Sequence, residues 1–268
     1  MTATVLLVGC GNMGRAMLTG WLKARPDLRA HVVEPDESLR AKAAALGAQA
    51  VGAPAALPEG LAPDLVFLAV KPQAMPSVLP DYARFSGATF VSVAAGTTVA
   101  TLRAGLGARA AVIRCMPNTP AAIGAGMMVC YPTPGVGEAA KALTAELLSA
   151  SGAVDWIAEE SLMDAVTAVS GSGPAYVFHL IEALAAAGAE AGLPEALSAK
   201  LAMQTVMGAG RLAAESGVAP GTLREQVTSP GGTTAAALAV LMGADGLGLL
   251  MTRAVAAAKA RGEELGRA

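Results

Sequence analysis

The sequence predicts a doubly wound α/β sheet followed by an all-α C-terminal domain, and two observations predict it. Over residues 1–160, short aliphatic runs alternate with helical patterns, and several of the runs are near-continuous Val, Leu and Ala. Strands buried on both faces of a parallel sheet have that composition, and the repeating βαβ rhythm places helices on both sides of them. Beyond residue 160 the rhythm stops. The chain becomes rich in Ala, Leu, Met and Glu, with helical stretches broken at 171–174, 192–194, 217–221 and 229–232. Two domains follow, 1–160 and 161–268.

Strands are expected at 4–8, 30–34, 49–51, 64–70, 89–93, 111–115, 127–131 and 153–157, with helices between them, for example at 13–23 and 37–46. The second domain has few bulky side chains, so its helices should pack closely through Ala and Gly. It also has little polar surface, and one of its faces is expected to be buried against another chain.

Composition excludes several functions. The 268 residues are 54% hydrophobic, enough for a full core and too apolar for disorder. Aromatics are 3%, too few for a base-stacking surface. A net charge of −2 argues against a nucleic-acid partner. The late apolar stretch 235–250 contains Asp245 and several glycines, so no membrane span is expected there. The run 4–8 has no basic leader before it and reads as a first strand, not a signal peptide. Cys10, Cys115 and Cys130 lack C-x-x-C spacing and read as buried free thiols in a reducing compartment, here the cytoplasm. With two histidines, His31 and His179, a His-rich metal site is excluded, and no metal is expected.

Gly9-Cys10-Gly11-Asn12-Met13-Gly14 is a G-x-G-x-x-G pattern that directly follows the first strand and opens a helix. In that setting Gly9 permits a tight turn, Gly11 lets the backbone approach a pyrophosphate, and Gly14 lets the helix press on the strand. The free N–H groups of the helix start then hold phosphate. This is the loop of a Rossmann fold. Glu34 ends the second strand 20 residues after Gly14 (34 − 14 = 20), where an acid accepts from the adenosine ribose and repels a 2′-phosphate. The reading is a site for NADPH or NADH, with NADH use favoured by Glu34.

Five further segments carry a resemblance. They are Ala69-Val70-Lys71-Pro72-Gln73, Ser92-Val93-Ala94-Ala95-Gly96, Arg114-Cys115-Met116-Pro117-Asn118-Thr119-Pro120, Ser170-Gly171-Ser172-Gly173-Pro174-Ala175-Tyr176, and Leu223-Arg224-Glu225-Gln226-Val227-Thr228-Ser229-Pro230-Gly231-Gly232-Thr233-Thr234. In this order, over essentially the whole chain, they resemble the pyrroline-5-carboxylate reductases. That resemblance implies an N-terminal Rossmann domain, a helical domain that interlocks with a second subunit, and reduction of a cyclic imine to L-proline by NAD(P)H. It implies a homodimer and, in many members, a ring of dimers. Carried over by position, Gly9, Gly11, Asn12, Met13 and Gly14 would hold the pyrophosphate. Val70, Lys71 and Pro72 would border ribose and nicotinamide, and Ala95, Gly96 and Asn118 would line the cofactor cleft. Ser229, Gly231, Gly232 and Thr233 would bind the substrate carboxylate, with Thr234 beside the imine nitrogen. Many relatives have a small hydroxyl residue in place of Glu34, and an asparagine where 51–56 reads Val-Gly-Ala-Pro-Ala-Ala; both departures bear on cofactor preference.

The residue inventory suits this chemistry. The cofactor supplies the hydride and the protein supplies orientation. A protonated imine is already electrophilic, so no strong acid is obligatory. Glycines before a helix expose backbone N–H groups that can hold a carboxylate without Arg. Taken locally, the same stretch also reads as a helix start capped by Thr, and Lys71 as a solvated charge before a proline turn. A β-hydroxyacid dehydrogenase would need a lysine within 173–187, and none is there. A silent dinucleotide-binding regulator would not need the 229–234 loop.

Overall fold

The computed structural model describes residues 2–267. The first part of the chain runs β1 (Thr4–Val8), α1 (Asn12–Ala24), β2 (Arg29–Val33), α2 (Glu37–Ala45), β3 (Gln49–Val51), β4 (Leu65–Leu68), α3 (Met75–Val78), β5 (Thr89–Ser92), α4 (Val99–Leu106), β6 (Ala111–Met116), β7 (Gly126–Pro132), α5 (Glu138–Ser149), β8 (Gly152–Trp156) and α6 (Met163–Val166). Among the described residues, eight strands form one sheet in the order β3-β2-β1-β4-β5-β6-β7-β8. The chain reverses direction across the sheet between β1 and β4, which makes the carboxyl ends of these strands the place for a ligand.

Successive side chains of a strand point to opposite faces, and here both faces are packed. Val5, Leu7, Phe67, Val91 and Ile113 meet Met17, Leu18 and Trp21 of α1 on one side. Leu6, Val66, Leu68, Phe90 and Val112 meet Met75, Leu79, Tyr82 and Leu102 on the other. A sheet covered on both sides cannot alternate apolar with polar residues, hence the continuous aliphatic runs.

The parallel pattern breaks once. β7 pairs antiparallel with β6, Cys115 opposite Cys130, and β8 is parallel to β7. The link from Met116 to Gly126 holds only a 3-10 turn, Thr119–Ile123. It is too short for the crossover that a parallel neighbour requires.

By its packing the chain forms two compact units. One runs through Gly171 and includes the segment from Lys259 onward; the other is Ser172–Ala258. The helical character that starts near residue 160 therefore begins within the first unit. Hydrogen bonds explain this: Glu160 binds Arg114 of β6, and Ser170, in the π-helical turn Thr167–Gly171, binds Asn118.

The second unit holds α7 (Gly173–Glu190), α8 (Glu195–Glu215), α9 (Pro220–Gln226), α10 (Thr233–Leu241) and the first part of α11 (Leu247–Arg267). α7 and α8 approach through small residues. A Cβ on Gly188 would strike the Ser198 hydroxyl, which donates to the Ala185 carbonyl at 2.6 Å. Ser198 and Ala202 are buried, whereas Phe178, Leu201, Met203, Met207 and Leu250 are exposed. Within one chain these helices have little core of their own.

Candidate functional site

The glycine loop joins β1 to α1 at the carboxyl edge of the sheet. Gly9 has φ +86°, and a Cβ there would lie 2.9 Å from the Ala69 carbonyl oxygen. A Cβ on Gly14 would collide with the Gly9 carbonyl, so α1 sits directly against the turn. Gly11 differs: a Cβ there meets nothing within 4 Å. It is the N-cap of α1 and no side chain caps that end. The first N–H groups of a helix have no partner within it and favour an anion. Asn12 is exposed and Met13 half-buried beside this opening. Tight turn, open approach and uncapped helix start together fit a pyrophosphate.

Glu34 stands one residue past β2, where 30–34 was expected to be strand to its end. Its carboxylate is buried and turned toward the loop. Oε2 accepts from the Cys10 N–H at 2.6 Å and Oε1 from the Asp36 N–H at 3.0 Å. Arg40 donates to the Glu34 and Pro35 carbonyls at 3.1 and 2.9 Å. Burial, then the negative charge of Glu34, pushes the Cys10 thiol above the ordinary thiol range. Cys10, Cys115 and Cys130 are buried free thiols.

Past β4, Val70 is half-buried and Lys71 exposed; Pro72 opens a 3-10 turn that Lys71 precedes. Among the described residues the Lys71 ammonium forms no ion pair. Past β5, Ala95 is exposed and Gly96 has φ +72°. Asn118, past β6, is engaged internally. Its Oδ1 accepts from the Met127 N–H at 2.9 Å, and its Nδ2 donates to the Ser170 carbonyl at 3.2 Å. Residues 9–14, 34, 70–72, 95–96 and 118 thus gather at one edge of the sheet.

The 229–234 segment lies in the second unit. Gly231 has φ +68°, and the Gly232 N–H closes the turn on the Ser229 carbonyl at 3.0 Å. Gly232 is the N-cap of α10, without a side-chain cap. Thr233 and Thr234 stand inside the helix, and their hydroxyls cap nothing. A helix start capped by Thr is therefore not what forms here.

Two residues were not singled out from the sequence. Arg114 is buried in β6, and its Nη1 lies 2.5 Å from Glu160 Oε1. The same oxygen accepts from the Val99 N–H at 2.8 Å, at the start of α4. A lone arginine inside the apolar run 111–116 was the available signal, since a buried charge requires a partner.

A doubly wound sheet with this loop at its switch point defines a dinucleotide-binding protein of the Rossmann class. The profile "NADP oxidoreductase coenzyme F420-dependent" matches residues 4–96, and "Pyrroline-5-carboxylate reductase dimerisation" matches 160–265. The pyrroline-5-carboxylate reductase of Pseudomonas aeruginosa is 41% identical, covering 98% of this chain and 97% of that protein. The solved pyrroline-5-carboxylate reductase of Coxiella burnetii superposes with a TM-score of 0.92 at 32% identity, over 99% of both chains. That of Plasmodium falciparum, with NADP bound, gives 0.80 at 27% identity, over 98% of both. The chain belongs to the pyrroline-5-carboxylate reductase family. Among the described residues no helix is long and apolar enough to cross a membrane.

Proposed function

We propose that this chain reduces the C=N bond of 1-pyrroline-5-carboxylate to L-proline, the last step of proline biosynthesis, in the cytoplasm. The observation that carries the reading is the start of α10: uncapped N–H groups after two glycines, with two threonine hydroxyls in the same turn. An uncapped helix start attracts a carboxylate, and a hydroxyl beside it can meet a ring nitrogen.

Gly9, Gly11, Asn12, Met13 and Gly14 would hold the pyrophosphate of NADH or NADPH. Val70, Lys71, Pro72, Ala95, Gly96 and Asn118 would border its ribose and nicotinamide. When bound, the dihydronicotinamide supplies the hydride. Ser229, Gly231, Gly232 and Thr233 hold the substrate carboxylate. Thr234 is the catalytic residue in the sense that its Oγ1 hydrogen-bonds the imine nitrogen. Its ordinary acidity makes it a positioning donor, with water relaying the proton.

Glu34 places a negative charge at the adenosine ribose, so NADH is used at least as well as NADPH. A carboxylate offers about four acceptor positions, and the two internal N–H donors leave the remainder for ribose hydroxyls. The helical unit forms a homodimer, and dimers assemble into rings. The dimerisation profile and the exposed apolar side chains of α7 and α8 support the dimer.

Oxidation of NADH and of NADPH, followed in parallel with and without pyrroline-5-carboxylate, tests the activity. Absence of substrate-dependent oxidation from folded protein that binds NADH would overturn it. Thr234→Ala should lower kcat/KM on the order of a hundredfold while NADH affinity stays unchanged. Glu34→Ser should shift the ratio of kcat/KM values toward NADPH; an unmoved ratio removes the ribose role.

A further inference from the structure

We propose that Glu34 is also a positioning residue, holding the glycine loop in its phosphate-binding shape through the backbone of Cys10. This deepens the cofactor reading above and rests on it only for its consequence in binding. The observations are internal to the protein. Cys10 is fully buried, so its N–H requires an acceptor from within the fold. Glu34 supplies one at 2.6 Å, in the distance range of a charge-assisted bond. The preceding N–H, of Gly9, donates to the Val33 carbonyl at 2.9 Å. The first two N–H groups of the loop are thus both held by the end of β2.

The carboxylate is itself fixed. Its second oxygen takes the Asp36 N–H, and Asp36 caps α2 by accepting from the Leu39 N–H at 2.9 Å. Arg40 ties down the Glu34 and Pro35 carbonyls from the same helix. Glu34 has no ion-pair partner among the described residues, so the N–H groups hold its buried charge. A chain of bonds runs from α2 through Asp36 and Glu34 to Cys10, one residue before the Gly11 opening. The pyrophosphate is common to NADH and NADPH. A loss of loop shape therefore weakens both equally, whereas the charge effect at the ribose changes only their ratio.

The test uses Glu34→Gln in the full protein. An amide presents one oxygen to the two N–H donors, and its NH2 group opposes the other. Dissociation constants for NADH and NADPH, by quenching of protein fluorescence, should both rise through the lost loop shape, on the order of tenfold for NADH and less for NADPH, because the lost charge at the ribose favours the 2′-phosphate. Deuterium exchange of the peptide spanning residues 9–14, without cofactor, should accelerate. The KM for the imine, at saturating NADH, should not move. A changed cofactor ratio with no common loss, or unchanged exchange at 9–14, overturns the proposal. A common loss with an unchanged ratio supports it and removes the ribose role alone. If wild-type protein binds neither cofactor, the cofactor reading fails while the exchange comparison still decides this one. Should Glu34→Gln not fold, wild-type protein labelled with 15N-cysteine decides it. The Cys10 amide must then be strongly protected from exchange without cofactor, and exchange at open-loop rates overturns the proposal.

Discussion

His31, Cys10 and Cys115 are all held away from their ordinary titration ranges by their surroundings in the fold. Burial keeps the His31 imidazole neutral to lower pH than usual. Burial and the Glu34 charge raise the Cys10 thiol; the Cys130 sulfur opposite, and then burial, raises Cys115 well above the thiol range. The two effects act on opposite sides of neutrality. Below about pH 6.5 the unfolded chain binds a proton that folded His31 refuses, so stability falls as pH drops. Above about pH 8.5 the unfolded chain releases thiol protons that the folded state retains, so stability falls as pH rises. Urea midpoints should therefore be highest between these limits and lower at pH 5.5 and 9.5. Equal midpoints at pH 7.5 and 9.5 would remove the thiol contribution.

Elements show where sequence reasoning reaches and where it stops. All eight expected strands exist; the inner ones were legible because a strand covered on both faces carries its burial in its own composition, whereas the edge strands β3 and β8 are part-exposed and were read from the βαβ rhythm. The antiparallel β7 went unread although its signal was present: the expected strands 111–115 and 127–131 leave a link too short for a parallel crossover, but the strand's own composition does not carry direction. Arg114 lies within β6, and its partner Glu160 is remote in sequence, so only the structure pairs them. Glu160→Ala should destabilise the protein by about 2 kcal/mol or more, because it leaves Arg114 buried and unpaired. Glu160→Gln should lose less, as its amide oxygen can still accept. Urea unfolding of the two variants checks the order. Gly152 is a second such point. It has φ +145°, and a Cβ there would collide with the backbone of Gly126, its register partner on β7. Gly152→Ala should lower the urea midpoint by the equivalent of about 2 kcal/mol, while Gly107→Ala, with open space around it, should cost less.

For the whole molecule, the apolar surface of α7 and α8 predicts association. Light scattering at micromolar concentration should give at least a dimer, and Tm should rise with protein concentration. A monomer with a concentration-independent Tm would contradict this. The glycine loop was legible because its spacing encodes backbone geometry. The inward turn of the Glu34 carboxylate was not, because an acid at that position reads the same whether it faces ribose or loop. The division of the chain into units was equally hidden, since α11 is one continuous helical pattern whose last turns, from Lys259, belong to the first unit. That discontinuity bears on how the protein is made. On the ribosome the sheet emerges first, yet the segment that completes its unit is translated only after every residue of Ser172–Ala258. Domains generally fold as units during synthesis, N-terminal first; here residues that pack on the earliest unit, Gly262 beside Asp164 and Gly266 beside Thr98, are among the last to be made.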